Sequence, residues 1–184
     1  MIMKKLVFLS ASVMSALFAS QAFAVSNNTI AFQGEVTAET CSVTVNGNTA
    51  KPTILLPTVN VSALNGSGKV AGQTTFDIGV TSCGGNNITS TAISTVFTGN
   101  NVSDKGNLSN LAATDAAGNV EIQILDTKGK GINFNDGSFS GAGDLTLAAG
   151  KKEASATYTA QYYATGAATA GAVEATMQYA ISYK

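Results

Sequence analysis

The chain has 184 residues, of which 45% are hydrophobic and 11% are charged, and its formal net charge at pH 7 is −1. It contains no histidine and no tryptophan, and its ten basic residues are all lysine. The lack of histidine excludes Ser-His-Asp and Cys-His catalytic centres and histidine-containing zinc sites. Without arginine or net positive charge, the chain has no electrostatic footprint for nucleic acid. We therefore predict a protein that is not an enzyme, has no catalytic or metal-ligating residues, needs no cofactor and binds no nucleic acid.

Residues 1–24 have the organisation of a cleaved signal peptide. Lys4 and Lys5 precede an apolar stretch over residues 6–18, and the Ala-Phe-Ala of residues 22–24 fits the small-x-small rule for cleavage. The alternative, a membrane anchor, needs about 20 apolar residues, and this run is shorter. The sequence therefore predicts export, with cleavage after residue 24.

The predicted export places the two cysteines, Cys41 and Cys83, outside the reducing cytoplasm. In an oxidising compartment two cysteines allow one intramolecular disulfide. The alternative, a reactive thiol, needs a neighbouring cation such as histidine or arginine to lower its pKa, and the chain has neither. We predict a structural disulfide.

Alternation of apolar and polar residues is the recurring pattern of residues 25–184, and it predicts β-strands with one face in a core. The alternating segments are residues 30–35, 41–45, 76–81, 120–124, 157–162 and 175–183. Clusters rich in Asn and Gly separate them, and these predict turns. No segment combines helix caps with a 3.6-residue apolar stripe. Many short strands with frequent turns predict an all-β sandwich or barrel.

Both ends of the expected mature chain look like strands that lack a partner. Residues 25–36 carry Ile30 and Phe32 on one strand face, although they directly follow the cleavage site. Met177–Tyr183 is an uncharged β-type run, whereas an exposed edge strand is usually protected by charge or proline. Such a chain should aggregate as a lone monomer. Within a polymer, both terminal strands would have pairing partners.

In these features the sequence resembles the chaperone–usher fimbrial family. It is similar to the major pilins of type 1 and P pili. The matching features are the leader, the TIAFQGEV run of residues 29–36, the cysteine at 41, the FDIGVTSC run of residues 76–83 and the terminal YAISYK with Tyr183 in the penultimate position. Together they span nearly the whole of residues 25–184.

The resemblance implies an incomplete immunoglobulin-like sandwich of six strands, whose seventh strand comes from a periplasmic chaperone and then from the next subunit. It divides the chain into a signal peptide (1–24), an N-terminal donor-strand extension (25–36) and a pilin domain (37–184). It assigns the inward face of the donor strand to Ser26, Asn28, Ile30, Phe32 and Gly34. The family usually has glycine where Asn28 falls, so a register with Asn27 at that position stays open.

At the other terminus, the resemblance assigns the strand that borders the groove and pairs with the chaperone to Met177, Tyr179, Ile181 and Tyr183. The implied partners are identical subunits in a head-to-tail filament, a periplasmic chaperone and an outer-membrane usher. Host receptors would be reached through a separate tip adhesin. The implied location is a cell-surface fimbrium of a Gram-negative bacterium, reached through the periplasm, where the subunit supports cell adhesion.

Two alternatives remain at this level. A minor adaptor pilin shares the same motifs. A secreted carbohydrate-binding β-sandwich module would need exposed aromatic side chains for stacking on sugar. The chain has no tryptophan, and its five tyrosines all fall in predicted strands.

Overall fold

Strands dominate the computed structural model, which describes residues 40–50, 52–84 and 88–183. The described residues form two antiparallel sheets, and the predicted all-β sandwich is confirmed. The strands are β1 (Ser42–Val45), β2 (Val70–Thr81), β3 (Thr91–Gly99), β4 (Leu108–Ser109), β5 (Val120–Leu125), β6 (Phe139–Leu147), β7 (Ala154–Ala164) and β8 (Met177–Tyr183). Short 3-10 helices cover Val61–Leu64 and Phe134–Asp136. Among these residues no helix is long and apolar enough to cross a membrane.

The larger sheet has five strands in the order β1-β2-β7-β5-β4. β1 turns back at Asn46 and Gly47, whose φ angles are 50° and 75°. Val45 and Asn48 exchange two backbone hydrogen bonds of 2.9 Å across these two residues. Positive φ angles at both central positions are what tight hairpin turns of this kind require, and Asn-Gly supplies them at little steric cost.

The smaller sheet has three strands in the order β6-β3-β8, so β8 lies at an edge. β8 pairs with β3 from Met177 opposite Gly99 to Tyr183 opposite Ile93. On the other side of β3, the pairing with β6 shifts register between Ile93 and Thr95. The Asp144 carboxylate accepts a hydrogen bond of 2.9 Å from the Thr95 N–H and thereby satisfies a donor within this irregularity.

The core lies between the two sheets and follows the alternation of the strands. In β5 the side chains of Val120, Ile122 and Ile124 are buried, while the residues between them are half-buried. Tyr158 of β7 is fully buried and meets the ring of Phe97 edge-on, with a centroid distance of 4.8 Å. The core is therefore formed by the inner faces of the two sheets, which pack against each other.

Five of the six predicted alternating segments fall in or overlap strands of the structure, and the sixth, residues 30–35, lies outside the described residues. The pattern did not predict β3 or β6. In β3 three consecutive residues, Ile93, Ser94 and Thr95, are buried, so no alternation is visible. β6 contains Gly141 and Gly143 beside its bulge. Because glycine is typical of loops and weakens a strand, the sequence of this segment does not indicate a strand.

Cys41 and Cys83 form the predicted disulfide. It joins the start of β1 to the end of β2, and the Gly84 N–H donates a hydrogen bond of 2.7 Å to the Thr40 carbonyl beside it. The bond closes a loop of 42 residues, so in the chain-entropy account it contributes about 4 kcal/mol to the free energy of unfolding.

Candidate strand-binding groove

An open apolar groove of about 700 Å³ runs along the edge of the sandwich. Its floor consists of buried core side chains, namely Phe76, Ile78, Leu108, Ile122 and Ile124. One wall is formed by residues 173–179 and the other by residues 52–56. The groove therefore opens directly onto the hydrophobic core.

The first wall is the free edge of β8 and the extended residues before it. Burial alternates from Val173 onward: Val173, Ala175, Met177 and Tyr179 are half-buried, and the residues between them are exposed. These four inward side chains all line the groove. The alternation thus continues for four residues before β8 begins.

Backbone hydrogen bonds of this wall leave one side of it open. The Glu174 carbonyl accepts from the Leu111 N–H at 2.7 Å, and the Glu174 N–H donates to the Asn110 Oδ1 at 3.0 Å. Val173 and Ala175 have no backbone hydrogen bond within the described residues. Since successive residues of an extended chain direct their N–H and C=O groups to opposite sides, these groups face the open edge.

The second wall is an extended segment that belongs to no sheet. Pro52, Ile54 and Leu56 are half-buried, whereas the side chain of Leu55 is 82% exposed. This is the alternation of a strand, yet no backbone hydrogen bond of residues 53–56 is found in the part of the chain that the structure describes. The two prolines of the chain, Pro52 and Pro57, bracket the segment.

The groove therefore has an apolar floor between two strand-like walls, and each wall has backbone groups without a partner among the described residues. Unpaired N–H and C=O groups along a strand edge are a template for pairing with another strand. An extended peptide in this groove could form a ladder with each wall and pack against the apolar floor. The arrangement suits β-strand addition, in which the backbone provides affinity and alternate side chains provide specificity.

The structure places some of the predicted site residues in the groove and others outside it. Met177 and Tyr179 line the groove, while Ile181 and Tyr183 share their strand face and pack against the core beyond the groove's lining. The predicted donor residues Ser26, Asn28, Ile30, Phe32 and Gly34 lie outside the described residues, as do the proposed segment boundaries at residues 24 and 36. Their roles stay predictions.

Sequence reasoning missed Val173 and the whole of the second wall, and it placed Ala175 in the last alternating run without assigning it to the site. Two signals were available for them. The apolar–polar alternation that ends at Tyr183 can be followed back to Val173. The proline pair around residues 52–57 is also typical of an edge segment, because proline cannot donate to a ladder.

Tyr162 is the ionisable side chain of the groove with a perturbed pKa. It lies on the groove surface and also packs against Leu64 and its neighbours, and burial raises the pKa of its hydroxyl above the usual 10.0. Glu174 places a carboxylate at the rim. Thr53, Thr176 and Tyr179 add hydroxyl groups to a lining that is otherwise apolar. No group of three metal-ligating side chains occurs among the described residues.

The tyrosines do not provide the stacking platform that a sugar-binding module requires. Tyr158 is fully buried, and Tyr162, Tyr163, Tyr179 and Tyr183 are half-buried. All five take part in strands of the sandwich. The structure therefore does not favour the carbohydrate-binding alternative.

The two sheets form an all-β sandwich with an open apolar groove along one edge, and this fold is that of pilins. The family model for fimbrial proteins matches residues 30–184, and the chain belongs to that family. It is 39% identical over 159 residues to the F17 fimbrial protein of Escherichia coli, with 84% of this chain and 86% of that protein covered. It is 31% identical to the type-1 fimbrial protein A chain of Escherichia coli K12, with 97% and 96% covered.

Solved structures support the same fold. The crystal structure of the P pilus rod subunit PapA matches with a TM-score of 0.56 at 21% sequence identity, over 78% of this chain and 99% of that chain. The family consists of structural subunits of the chaperone–usher class, which polymerise into pili. The resemblance to this class in the sequence is thereby confirmed.

Proposed function

We propose that the chain is a repeating subunit of an adhesive surface fimbria and that it polymerises by donor-strand exchange. The observation that carries the proposal is the pair of open backbone edges, at residues 53–56 and 173–179, on either side of the apolar groove floor. A subunit built this way requires a strand from elsewhere. The expected donor is the N-terminal extension, residues 25–36, of the next copy.

The apolar side chains of that extension suit the groove floor. With Ser26, Asn28, Ile30, Phe32 and Gly34 directed inward, Ile30 and Phe32 would cover core side chains such as Ile78 and Ile122. Burial of these two side chains should contribute about 3–6 kcal/mol. A ladder of about eight hydrogen bonds at about 0.5–1.5 kcal/mol each would add to this before the cost of ordering the extension.

This stabilisation is comparable to that of a whole domain, which is about 5–15 kcal/mol. A free subunit should therefore be marginally stable, and a subunit in a fibre very stable. A periplasmic chaperone strand that occupies the same groove would pair with its open edges before assembly, and an outer-membrane usher would be the site of exchange. The predicted signal peptide, residues 1–24, agrees with this export route.

Donation from one copy to the next is a heterologous contact, since the extension of one subunit meets the groove of another. Such contacts generate open filaments when the rotation between copies does not close a ring. The geometry of the proposal therefore leads to a fibre on the cell surface. Its role in adhesion would be to carry a separate tip adhesin away from the cell.

The proposal can be tested on the mature chain, residues 25–184, with its disulfide intact. We expect the wild-type chain to form fibres visible by electron microscopy and to sediment as high-mass material. Ile30→Asp and Phe32→Asp should each abolish assembly because they place a carboxylate against the groove floor. Ala31→Asp is the matched control: it changes the opposite face of the same strand and should assemble normally.

Thermal or chemical denaturation then distinguishes two explanations for failed assembly, namely a subunit that lacks a strand and a subunit that has merely become less soluble. A synthetic peptide of residues 25–36 should raise the stability of the Ile30→Asp chain, because a ligand that binds only the folded state stabilises it by mass action. Equal assembly of Ile30→Asp and Ala31→Asp, or a stable monomer that ignores the peptide, would contradict donor-strand exchange.

A further inference from the structure

Met177 places a thioether in the first wall of the groove. The residue lies in β8 opposite Gly99, and its side chain is half-buried. It follows Ala175 and precedes Tyr179 on the face that lines the groove, and it packs against buried core residues. The next residue, Gln178, is exposed on the other face of the strand. The Met177 side chain therefore lies where an inserted strand would cover it.

The sequence makes Met177 the single thioether of residues 25–184. The other methionines, Met1, Met3 and Met14, fall in the predicted signal peptide. The chain has no histidine and no tryptophan, and its two cysteines are joined in the disulfide. Methionine is readily oxidised to its sulfoxide, and methionine sulfoxide reductases reverse the change. An oxidant that reaches the folded subunit should therefore act chiefly at one position, which lies in the groove.

A peroxide changes this side chain in one step. The sulfur lone pair attacks the O–O bond of hydrogen peroxide, so that an S–O bond forms and the O–O bond breaks. The sulfur is oxidised by two electrons, and the peroxide is reduced to water. The product is polar and chiral, whereas the thioether is apolar and flexible. An inserted apolar strand would have to cover this polar group, and burial of a polar group without a hydrogen bond is costly.

We propose that Met177 is an oxidation site controlled by the filling of the groove: a peroxide converts it to the sulfoxide while the groove is empty, and the sulfoxide then opposes entry of a strand. The inference rests on the proposed function, because residues 25–36 of another copy are the occupant that shields the sulfur. A subunit within a fibre would keep its thioether. A free subunit outside the reducing cytoplasm would lose its ability to assemble until the sulfoxide is reduced.

The first experiment compares empty and filled grooves in the same chain. The mature Ile30→Asp chain, which we expect to remain unassembled, is treated with hydrogen peroxide in the presence and absence of a peptide of residues 25–36. This peptide contains no methionine. Mass spectrometry follows the oxygen atom added to Met177. With the peptide at about ten times its dissociation constant, Met177 should be oxidised about tenfold more slowly, because only the unoccupied grooves react.

The matched control moves the thioether to the outer face of the same strand. In Met177→Leu/Gln178→Met, made in the Ile30→Asp background, leucine keeps an apolar side chain of similar volume in the wall. The relocated thioether should be oxidised at the same rate with and without the peptide, because position 178 is exposed away from the groove. Wild-type fibres provide a test that needs no variant: Met177 should resist oxidation in the intact fibre and react after denaturation.

The second experiment measures the effect of the sulfoxide on binding. Fluorescence anisotropy of the labelled peptide should show that oxidation weakens binding to the Ile30→Asp chain about 10- to 100-fold, which corresponds to about 1.4–2.8 kcal/mol for a polar group buried without a partner. Reductases specific for the two sulfoxide epimers should together restore the affinity. Met177→Leu in the same background is compared with itself before and after peroxide, and its affinity should not respond to the treatment.

The outcomes distinguish this inference from the proposed function. Equal oxidation of Met177 in empty and filled grooves, or a sulfoxide form that binds the peptide as tightly as the thioether, would overturn the inference alone. Equal protection of the thioether at position 178 would also overturn it, because the shielding would then not come from the groove. A chain that binds no peptide before any treatment would contradict the proposed function, and the inference with it.

Discussion

The Tyr158 hydroxyl donates a hydrogen bond to the Asp144 carboxylate and joins β7 of the larger sheet to β6 of the smaller one. The second oxygen of Asp144 accepts from the Thr95 N–H of β3. One carboxylate therefore holds three strands and both sheets. Gly141 makes room for this contact, because a Cβ atom at that position would collide with the Asp144 carboxylate and approach the Tyr158 hydroxyl to 2.9 Å.

Tyr158→Phe should lower the free energy of unfolding by about 1–3 kcal/mol, because it removes a hydrogen bond to a charged acceptor while keeping the ring in place. Urea denaturation followed by circular dichroism measures the change. Tyr163→Phe is the control, since the Tyr163 hydroxyl makes no hydrogen bond within the described residues. An equal loss of stability in both variants would show that the link between the sheets contributes little.

Removal of the disulfide should have a larger effect. The double variant Cys41→Ala/Cys83→Ala should lose about 4 kcal/mol of stability, because the unfolded chain gains the freedom of a 42-residue loop. Guanidinium denaturation with and without dithiothreitol tests this. The reductant should destabilise the wild type to a similar extent and leave the double variant unchanged; a wild type insensitive to reduction would disprove the expectation.

The stability of the subunit should fall in alkaline solution through Tyr162. Burial raises the pKa of this hydroxyl above 10.0 in the folded state, so the unfolded chain loses the proton first as the pH rises. Its contribution is complete below pH 10 and disappears as the pH passes through the folded pKa. Denaturation midpoints from pH 8 to 12 should therefore decline less steeply for Tyr162→Phe than for wild type. Parallel curves for the two proteins would refute this assignment.

The open edge of β8 predicts a contrast between two adjacent positions. Met177 faces the groove, whereas Gln178 is exposed on the opposite face. Met177→Asp should abolish binding of a peptide of residues 25–36, because it sets a charge against the inserted apolar side chains. Gln178→Asp should bind within about twofold of wild type, as surface changes usually cost no more than about 0.5 kcal/mol. Fluorescence anisotropy of a labelled peptide provides the measurement.

Loss of binding in both variants would place the peptide elsewhere on the subunit. Circular dichroism should first establish that each variant is folded. If Met177→Asp is not folded, Met177→Gln has a similar side-chain length and should weaken binding without introducing a charge.

The sequence by itself determined the fold class, the disulfide and the apolar face of the last strand, whereas the export signal stays a prediction. Each of these is a local property: a strand that is buried on one side records this side in its own alternation, and two cysteines in an oxidising compartment have one possible pairing. The run at residues 120–124 and the run ending at Tyr183 were therefore correctly assigned to strands. β3 and β6 were not found, because Ser94 and Thr95 are buried by neighbours distant in sequence and the glycines of β6 belong to a bulge.

Only the tertiary structure decided where the groove lies. Within the described residues, 52–56 and 173–176 carry no ladder of their own, and their significance arises from their common position beside the apolar floor of the groove. Local alternation records which face of a segment is buried. It does not record which segments lie side by side, because that is settled by packing between residues far apart in sequence.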